Sequence, residues 1–409
     1  RQNGRTLLKN QPMSFRPNNP SLFIFLLCLV TVLGTATSAF SQKKTISFEE
    51  VKDKENFGRF RYLEIKGHTG YHLYGGTTLD KTVEGGYGAV EARYAWQTKD
   101  STNWEGQSGY PSYGAGFYSG FVGDPEVLGK PNAVFGFVNF PLSRSQKRNQ
   151  FEISPSLGIT YNLEPFDAES NPTNDAIASN FALYFNVSFG AAYRLTRELD
   201  LIYGVDFTHF SVGRITTPNH GLNMYGLNLA FRYHYNADQR FVDSGPYSQN
   251  LLQARYKRPE KEKNTRLNES SIETYLGFGT VQNVEDKGTS KRYFIFSGVL
   301  DYRFKFNTMH AVTFGMDYFF DESLRVEYPD DQDLIGLHAG YDFMFGKFSV
   351  RFQAGAYLED DKGKEPTYIR AAFRYDINSW LFAQIGVKTR DRTRADWAEF
   401  GLGFTPFRF

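Results

Sequence analysis

Hydrophobic and polar residues alternate along most of the chain beyond residue 60, in segments of about ten residues separated by polar turns. Because neighbouring side chains of a β-strand point to opposite faces, an alternation of period two predicts strands with one apolar face. The first set of segments lies near residues 60–74, 86–97, 109–121, 132–141, 151–163, 179–194, 199–212 and 221–235. The second set lies near residues 271–283, 291–305, 308–320, 334–345, 347–358, 367–377, 380–389 and 397–409. The pattern predicts an all-β chain of about sixteen antiparallel strands.

The connections between these segments alternate in length. Residues 195–198, 346–347 and 378–379 are tight turns, whereas residues 164–178, 212–221, 322–333 and 360–366 are longer loops. Short periplasmic turns and longer outer loops are the rule for barrels of bacterial outer membranes. The sequence therefore predicts a transmembrane, antiparallel outer-membrane β-barrel. A soluble β-sandwich or barrel, which would also alternate, is the less favoured interpretation.

A polar stretch, residues 236–269, separates the two sets of segments and contains little that can pack. Two architectures fit this division: one sixteen-stranded barrel with a long periplasmic excursion, or two eight-stranded barrels in tandem over residues 60–235 and 270–409. The first set ends in Leu227-Asn-Leu-Ala-Phe-Arg-Tyr-His-Tyr235, much like the end of the chain, Gly403-Phe-Thr-Pro-Phe-Arg-Phe409. This likeness favours the tandem arrangement, although both architectures remain open at this point.

Aromatic residues make up 17% of the chain and stand at both ends of many segments, as the two interfacial girdles of a membrane barrel require. The terminal aromatic, Phe409, resembles the C-terminal signal that the barrel-assembly machinery recognises. Residues 13–42 have the pattern of a cleaved signal peptide, with Arg16, an apolar run over residues 22–33 and small residues over 34–39. Residues 1–12 are interpreted as an upstream extension. These features predict export to the outer membrane of a Gram-negative cell.

Composition and charge exclude several classes of chemistry. Cys28 is the one cysteine and lies in the predicted signal, so the mature chain has neither disulfides nor thiol catalysis. The formal net charge of +1 is too small to indicate nucleic-acid binding. His209 and His220 have no acidic cluster at metal-ligand spacing, so neither a metal nor another cofactor is predicted.

The segment over residues 199–212 is apolar on one face until its last two positions. Period two places His209 and Ser211 on that face, and Asn223 lies at a similar height on the matching face of the returning strand. Polar side chains on a lipid-facing wall are costly unless they lie at the interface or have a function. Each of the three residues alone fits the headgroup zone, whereas together they form a candidate catalytic group.

The spans Phe207-Thr-His-Phe-Ser-Val-Gly213 and Pro218-Asn-His-Gly-Leu-Asn223 resemble the active-site hairpin of lipid A 3-O-deacylases of the PagL type, also called acyloxyacyl hydrolases. The resemblance covers roughly residues 60–235, and nothing specific was found in residues 270–409. It implies an eight-stranded outer-membrane barrel that removes the ester-linked acyl chain at position 3 of lipid A. It also implies that His209 is the general base and Ser211 the nucleophile.

Two positions depart from the pattern of the family. Asn223 stands where the family has a glutamate, and an amide oxygen can accept from the imidazole N–H but cannot stabilise the imidazolium as a carboxylate does. Val212 stands where the family usually has an asparagine thought to help form the oxyanion hole, which leaves the amide of Gly213 as a donor. Other acids do not obviously replace the glutamate: Asp206 lies on the interior face by parity, and Glu164 and Asp167 lie in a different outer loop. His220 remains open as a group that reaches back from the hairpin.

The sequence thus predicts an outer-membrane serine esterase that acts, while embedded in the membrane, on lipid A of lipopolysaccharide. The alternative is a non-catalytic outer-membrane barrel, either a degenerate family member or a pore. Strand arrangement alone is compatible with both, because a fold does not establish a function.

Overall fold

The computed structural model describes residues 61–235 and 266–409, apart from gaps at 75, 77, 99–103, 144–147, 197, 360–361 and 391–393. The predicted upstream extension, the predicted signal peptide and residues 236–265 of the polar stretch lie outside the described residues. Residues 266–269, predicted as the end of that stretch, belong to the first strand of the second half of the chain.

The described residues form sixteen antiparallel strands that close into two separate eight-stranded barrels. Barrel 1 comprises β1 (Arg61–His72), β2 (Tyr87–Gln97), β3 (Ser112–Phe121), β4 (Gly129–Pro141), β5 (Asn149–Leu163), β6 (Ala182–Arg194), β7 (Leu199–Ser211) and β8 (Leu222–Tyr233). Barrel 2 comprises β9 (Arg266–Val281), β10 (Tyr293–Asn307), β11 (His310–Asp321), β12 (Asp333–Phe345), β13 (Phe348–Tyr357), β14 (Thr367–Asp376), β15 (Leu381–Thr389) and β16 (Ala395–Arg408). The tandem prediction is confirmed, and the single sixteen-stranded barrel is wrong because β8 pairs with β1 and β16 pairs with β9.

Short helical turns interrupt some of the connections. They are α1 (Asp80–Val83), α2 (Trp104–Gln107), α3 (Pro125–Leu128) and two 3-10 turns, Val284–Asp286 and Glu322–Val326. The Asp124 side chain caps α3 by accepting a hydrogen bond from the backbone N–H of Glu126 at 2.9 Å. Within the described ranges, no helix is both long enough and apolar enough to cross a membrane.

The outward faces of both barrels are apolar. More than half of the side-chain surface is exposed at large hydrophobic positions such as Val134, Ile159, Leu227 and Phe400. A contiguous surface of this kind is unfavourable in water, whereas it is what a barrel presents to lipid. The alternation seen in the sequence therefore sorts apolar residues outward and polar residues inward.

The interiors of both barrels contain buried ion pairs. In barrel 1, Arg232 donates to both oxygens of Glu152, at 2.6 and 3.0 Å. In barrel 2, Arg351 donates to Asp342 at 2.7 Å and to Asp301 at 2.9 Å. A closed barrel of about eight strands has room inside for side chains but not for a wide water channel. The pore that a sixteen-stranded barrel would hold therefore has no support in this architecture.

The two barrels contact each other at both ends of their strands. At the end that carries the short turns, the rings of Trp104 and Phe345 are 6.0 Å apart. At the opposite, outer end, the loop that follows β7 reaches barrel 2, where Gln282 N donates to Arg214 O at 2.8 Å. The barrels therefore lie side by side, with the outer end of β7 next to barrel 2.

Candidate active site

His209, Ser211 and Asn223 lie on the outward face of barrel 1, at the outer end of the hairpin formed by β7 and β8. Thr208 and Phe210, which alternate with them along β7, are fully buried in the interior. The register places His209 directly opposite Asn223 on the neighbouring strand. The structure therefore brings the three sequence-predicted residues to one side of the sheet.

The His209 ring is oriented by its partner across the hairpin. His209 Nδ1 and Asn223 Oδ1 are 2.6 Å apart. Because an amide oxygen only accepts hydrogen bonds, this contact assigns the proton to Nδ1 and leaves Nε2 as the basic nitrogen. Gly221 also lies close to the ring, since a Cβ added there would stand 3.2 Å from His209 Cε1. Its φ of +72° also favours glycine at this position.

Ser211 Oγ accepts two hydrogen bonds. Asn219 Nδ2 donates at 3.0 Å and the backbone N–H of Gly213 donates at 3.2 Å. With both acceptor positions engaged, the hydroxyl hydrogen is left to donate elsewhere. Among the described residues, no hydrogen bond joins Ser211 to His209. Catalytic hydrogen bonds are often long in ligand-free sites and shorten when substrate binds, so this geometry is compatible with a base–nucleophile pair.

Asn219 is the residue of this site that the sequence analysis missed. Besides its bond to Ser211, its Oδ1 accepts from Val212 N at 3.3 Å and its Nδ2 donates to Gly213 O at 3.3 Å. It thus fixes the chain on both sides of the turn that follows Ser211. The sequence indicated Asn219 only through its place in the motif that resembles the family. The side chains of a loop follow no period that predicts where they point.

Two of the carboxylates considered as substitutes for the missing glutamate, those of Asp206 and Asp167, have other partners. Asp206 lies inside barrel 1, where it bonds His68 at 2.5 Å and Tyr87 at 2.9 Å. Asp167 accepts from the backbone N–H groups of its own turn. His220 donates its backbone N–H to a carbonyl oxygen of a neighbouring loop at 3.3 Å. In the described part of the chain, Asn223 is the side chain that hydrogen-bonds the His209 ring.

An apolar surface continues from the site along the strands. Phe185 is paired with His209 on β6, and Tyr225 and Leu227 follow Asn223 on the outward face of β8. These three side chains are 39%, 46% and 63% exposed, respectively. A polar group at the outer end of an exposed apolar wall can meet both the sugar and the chains of a lipid.

Fold and site together define an antiparallel eight-stranded β-barrel that carries a polar hairpin on its apolar outward face. A family model described as lipid A 3-O-deacylase (PagL) matches residues 88–232, and one described as acyloxyacyl hydrolase, C-terminal domain, matches residues 270–408. The chain therefore belongs to the PagL lipid A 3-O-deacylase family. This confirms the family predicted from the hairpin, and the second match covers the half in which no resemblance was found.

Comparison with solved structures gives only distant similarities. A triple mutant of Rh. blastica porin has 11% identity over 84% of this chain and 99% of the porin chain, with a TM-score of 0.18. The Acinetobacter baumannii outer membrane protein Omp33 has 10% identity over 86% of this chain and 100% of its own, with a TM-score of 0.16. TM-scores this low do not indicate a shared fold. Among curated proteins, no sequence matches this chain.

Proposed function

We propose that this protein removes the ester-linked 3-O acyl chain from lipid A, with Ser211 as the nucleophile and His209 as the general base. The observation that carries the proposal is the 2.6 Å contact between His209 Nδ1 and Asn223 Oδ1 beside Ser211 on one outward face. It leaves Nε2 free to act as a base toward a hydroxyl on the same surface. Membership of the PagL family supports the same reaction.

The reaction follows the logic of a serine esterase. His209 Nε2 takes the proton of Ser211 Oγ while the oxygen attacks the ester carbonyl carbon. The bond to the sugar oxygen then breaks, and the imidazolium gives its proton to that leaving hydroxyl. Water attacks the acyl-enzyme with His209 again as the base, which releases the fatty acid and restores Ser211. Asn223 holds the Nδ1 proton and keeps the ring oriented throughout.

We assign the stabilisation of the negative charge on the tetrahedral intermediate to the two donors beside Ser211. Asn219 Nδ2 and Gly213 N lie 3.0 and 3.2 Å from Oγ, which becomes bonded to the carbon that carries the oxyanion. Loss of one oxyanion donor costs about 10²–10³ in kcat in well-studied enzymes. The Asn219 amide thus supplies the kind of donor that the Val212 side chain cannot.

The position of the site suits a substrate that lies in a membrane. Lipid A presents its sugars at the membrane surface and its acyl chains to the interior, in the same order as the polar hairpin and the apolar wall of Tyr225 and Leu227. The proposal therefore includes a membrane-embedded barrel. It also includes cleavage of a signal peptide within residues 13–42 and insertion by the barrel-assembly machinery through Phe409.

The test is the lipid A profile of cells that express the protein, measured by mass spectrometry. Wild-type protein is expected to remove one 3-hydroxyacyl chain, and Ser211→Ala is expected to leave lipid A intact. The matched control is Ser119→Ala, because Ser119 is also an outward serine near the outer end of a barrel 1 strand. An unchanged profile with well-folded wild-type protein would favour the alternative of a non-catalytic barrel.

A further inference from the structure

The loop that follows Ser211 is attached to the other barrel. Residues 212–217, here called the docking loop, connect the nucleophile position to Asn219. The Arg214 guanidinium enters the outer mouth of barrel 2, where it donates to Ser323 Oγ at 2.9 Å. It also lies 3.5 Å from a carboxylate oxygen of Asp321 and 3.4 Å from one of Asp396. Both carboxylates are fully buried, so the loop supplies a cation to a low-dielectric site.

A second attachment fixes the backbone of the docking loop. Gln282, directly after β9, donates its backbone N–H to Arg214 O at 2.8 Å. Its Oε1 accepts from Thr217 N at 2.6 Å and from Thr217 Oγ1 at 2.9 Å. Its Nε2 donates to the carbonyl oxygens of Asp286 and Thr289, at 2.8 Å each. Gln282 is therefore held by its own hairpin and holds the docking loop in turn.

One donor to Ser211 lies in the docking loop, and the other, Asn219, follows the loop by two residues and is bonded to it. Gly213 packs against the outer surface of β16, since a Cβ added there would stand 3.2 Å from Ala398 Cβ. The backbone N–H of this glycine is the one that donates to Ser211 Oγ. Asn219 is bonded to Val212 N and Gly213 O within the same turn. The surface of barrel 2 therefore sets the position of the groups around the serine.

Barrel 2 does not depend on Arg214 to balance its buried charge. Lys364 donates to Asp321 at 2.9 Å and to Asp396 at 2.6 Å, and Lys388 donates to Asp396 at 2.8 Å. Two cations from barrel 2 thus already pair the two carboxylates. Removing the Arg214 guanidinium is accordingly expected to release the loop without unfolding either barrel.

We propose that barrel 2 positions the active site of barrel 1, with Arg214 and Gln282 as positioning residues that hold the docking loop. This inference rests on the proposed function. In the docked loop, the Gly213 N–H and the Asn219 amide face Ser211 Oγ, so release of the loop impairs the chemical step more than the binding of lipid. A displacement of about 1 Å at a reacting group can cost about a hundredfold in rate.

The first experiment measures lipid A deacylation by the purified full chain in lipid vesicles. Arg214→Ala is expected to lower kcat by about 10- to 100-fold with little change in KM. Arg214→Lys, which keeps the cation, is expected to recover part of the loss. The matched control is Arg325→Ala, because Arg325 is a 68% exposed arginine on the same 3-10 turn as Ser323. An unchanged kcat in Arg214→Ala would overturn the proposal.

The second experiment measures the mobility of the docking loop and does not require catalytic turnover. A spin label is attached at Ile215→Cys in a Cys28→Ala background, because Ile215 is 39% exposed within the docking loop. We expect slow label motion with Arg214 present and faster motion in Arg214→Ala and Gln282→Ala. Motion that is fast already with Arg214 present, or unchanged by both substitutions, would overturn the docking. If wild-type protein fails to deacylate lipid A while the label still responds, the proposed function fails and the docking stands.

Discussion

The two barrels share an architecture but differ at the outer end of their last hairpin. In barrel 1 the outward pair at this level is His209 opposite Asn223, whereas in barrel 2 it is Val387 opposite Ala398. Both pairs stand on the seventh and eighth strands of a closed barrel. Under the proposed function, this difference assigns the chemistry to a few outward side chains of one hairpin and not to the architecture that the two barrels share.

The interiors of the two barrels, by contrast, are alike in kind. Each contains an arginine that joins two or more carboxylates: Arg232 binds Glu64 and Glu152, and Arg351 binds Asp301 and Asp342 among others. Polar groups in a closed interior must be paired to be tolerated. The interiors thus serve stability in both barrels, while the outer surfaces have different roles.

The comparison of the two hairpins is tested most directly by removing the proposed base of barrel 1 and, separately, its counterpart in barrel 2. His209→Ala is expected to lower kcat for lipid A by about 10⁴-fold or more, because Ser211 loses the group that takes its proton. Val387→Ala removes the outward side chain at the same level of barrel 2 and is expected to leave kcat unchanged. Both are measured by release of the acyl chain in vesicles. A loss in Val387→Ala as large as that in His209→Ala, well beyond the 10- to 100-fold expected from release of the docking loop, would show that barrel 2 carries chemistry of its own.

The next largest effect concerns the interiors. Arg232→Met and Arg351→Met each remove a buried cation that pairs with two or more carboxylates, and breaking a buried ion pair from one side typically costs about 3–5 kcal/mol of unfolding free energy. The measurement is urea unfolding in lipid vesicles followed by tryptophan fluorescence. Lys291→Met, at an exposed ion pair of an outer loop, is the control and is expected to leave stability unchanged. If only one of the arginine variants is destabilised, the two interiors are not equivalent.

The fold was largely predictable because period two is visible in the sequence. Strand ends were not, since they depend on pairing. β9 begins at Arg266 instead of residue 271 because Glu269 and Ser270 pair with β10, although their polarity suggested a linker. The choice between one barrel and two depends on whether β8 pairs with β1 or with β9, and local patterns carry no such long-range information.

The site was predictable only where it lies on strands. Parity along β7 and β8 places His209, Ser211 and Asn223 on one face, as the structure has them. Asn219 and Arg214 lie in a loop, where no period indicates the direction of a side chain. Their partners come from the turn itself and from a barrel that is distant in sequence, so only the three-dimensional structure reveals their contacts.

A carboxylate beside the His209 ring is expected to increase the activity of the hairpin of barrel 1. Asn223→Asp keeps the shape of the side chain and places a carboxylate 2.6 Å from His209 Nδ1. Because a carboxylate stabilises the imidazolium that forms during attack, kcat is expected to rise about 10- to 100-fold. Asn132→Asp, which adds the same charge on the outward face of β4, is the control. An equal or lower kcat in well-folded Asn223→Asp would exclude stabilisation of the imidazolium as the limiting factor.

The substitution Leu227→Ala tests whether the acyl chain of lipid A lies along the apolar wall of barrel 1. Leu227 and Leu402 both stand four residues after the outward pair of their hairpin, and they are 63% and 47% exposed. Leu227→Ala is expected to lose about one methylene's worth of contact with the acyl chain, roughly 0.8 kcal/mol, so KM for lipid A is expected to rise about fourfold with kcat nearly unchanged. Leu402→Ala removes the same atoms from barrel 2 and is expected to change neither constant. Equal rises of KM in the two variants would show that the effect comes from the general affinity of both barrels for lipid, and would contradict a specific contact between Leu227 and the acyl chain.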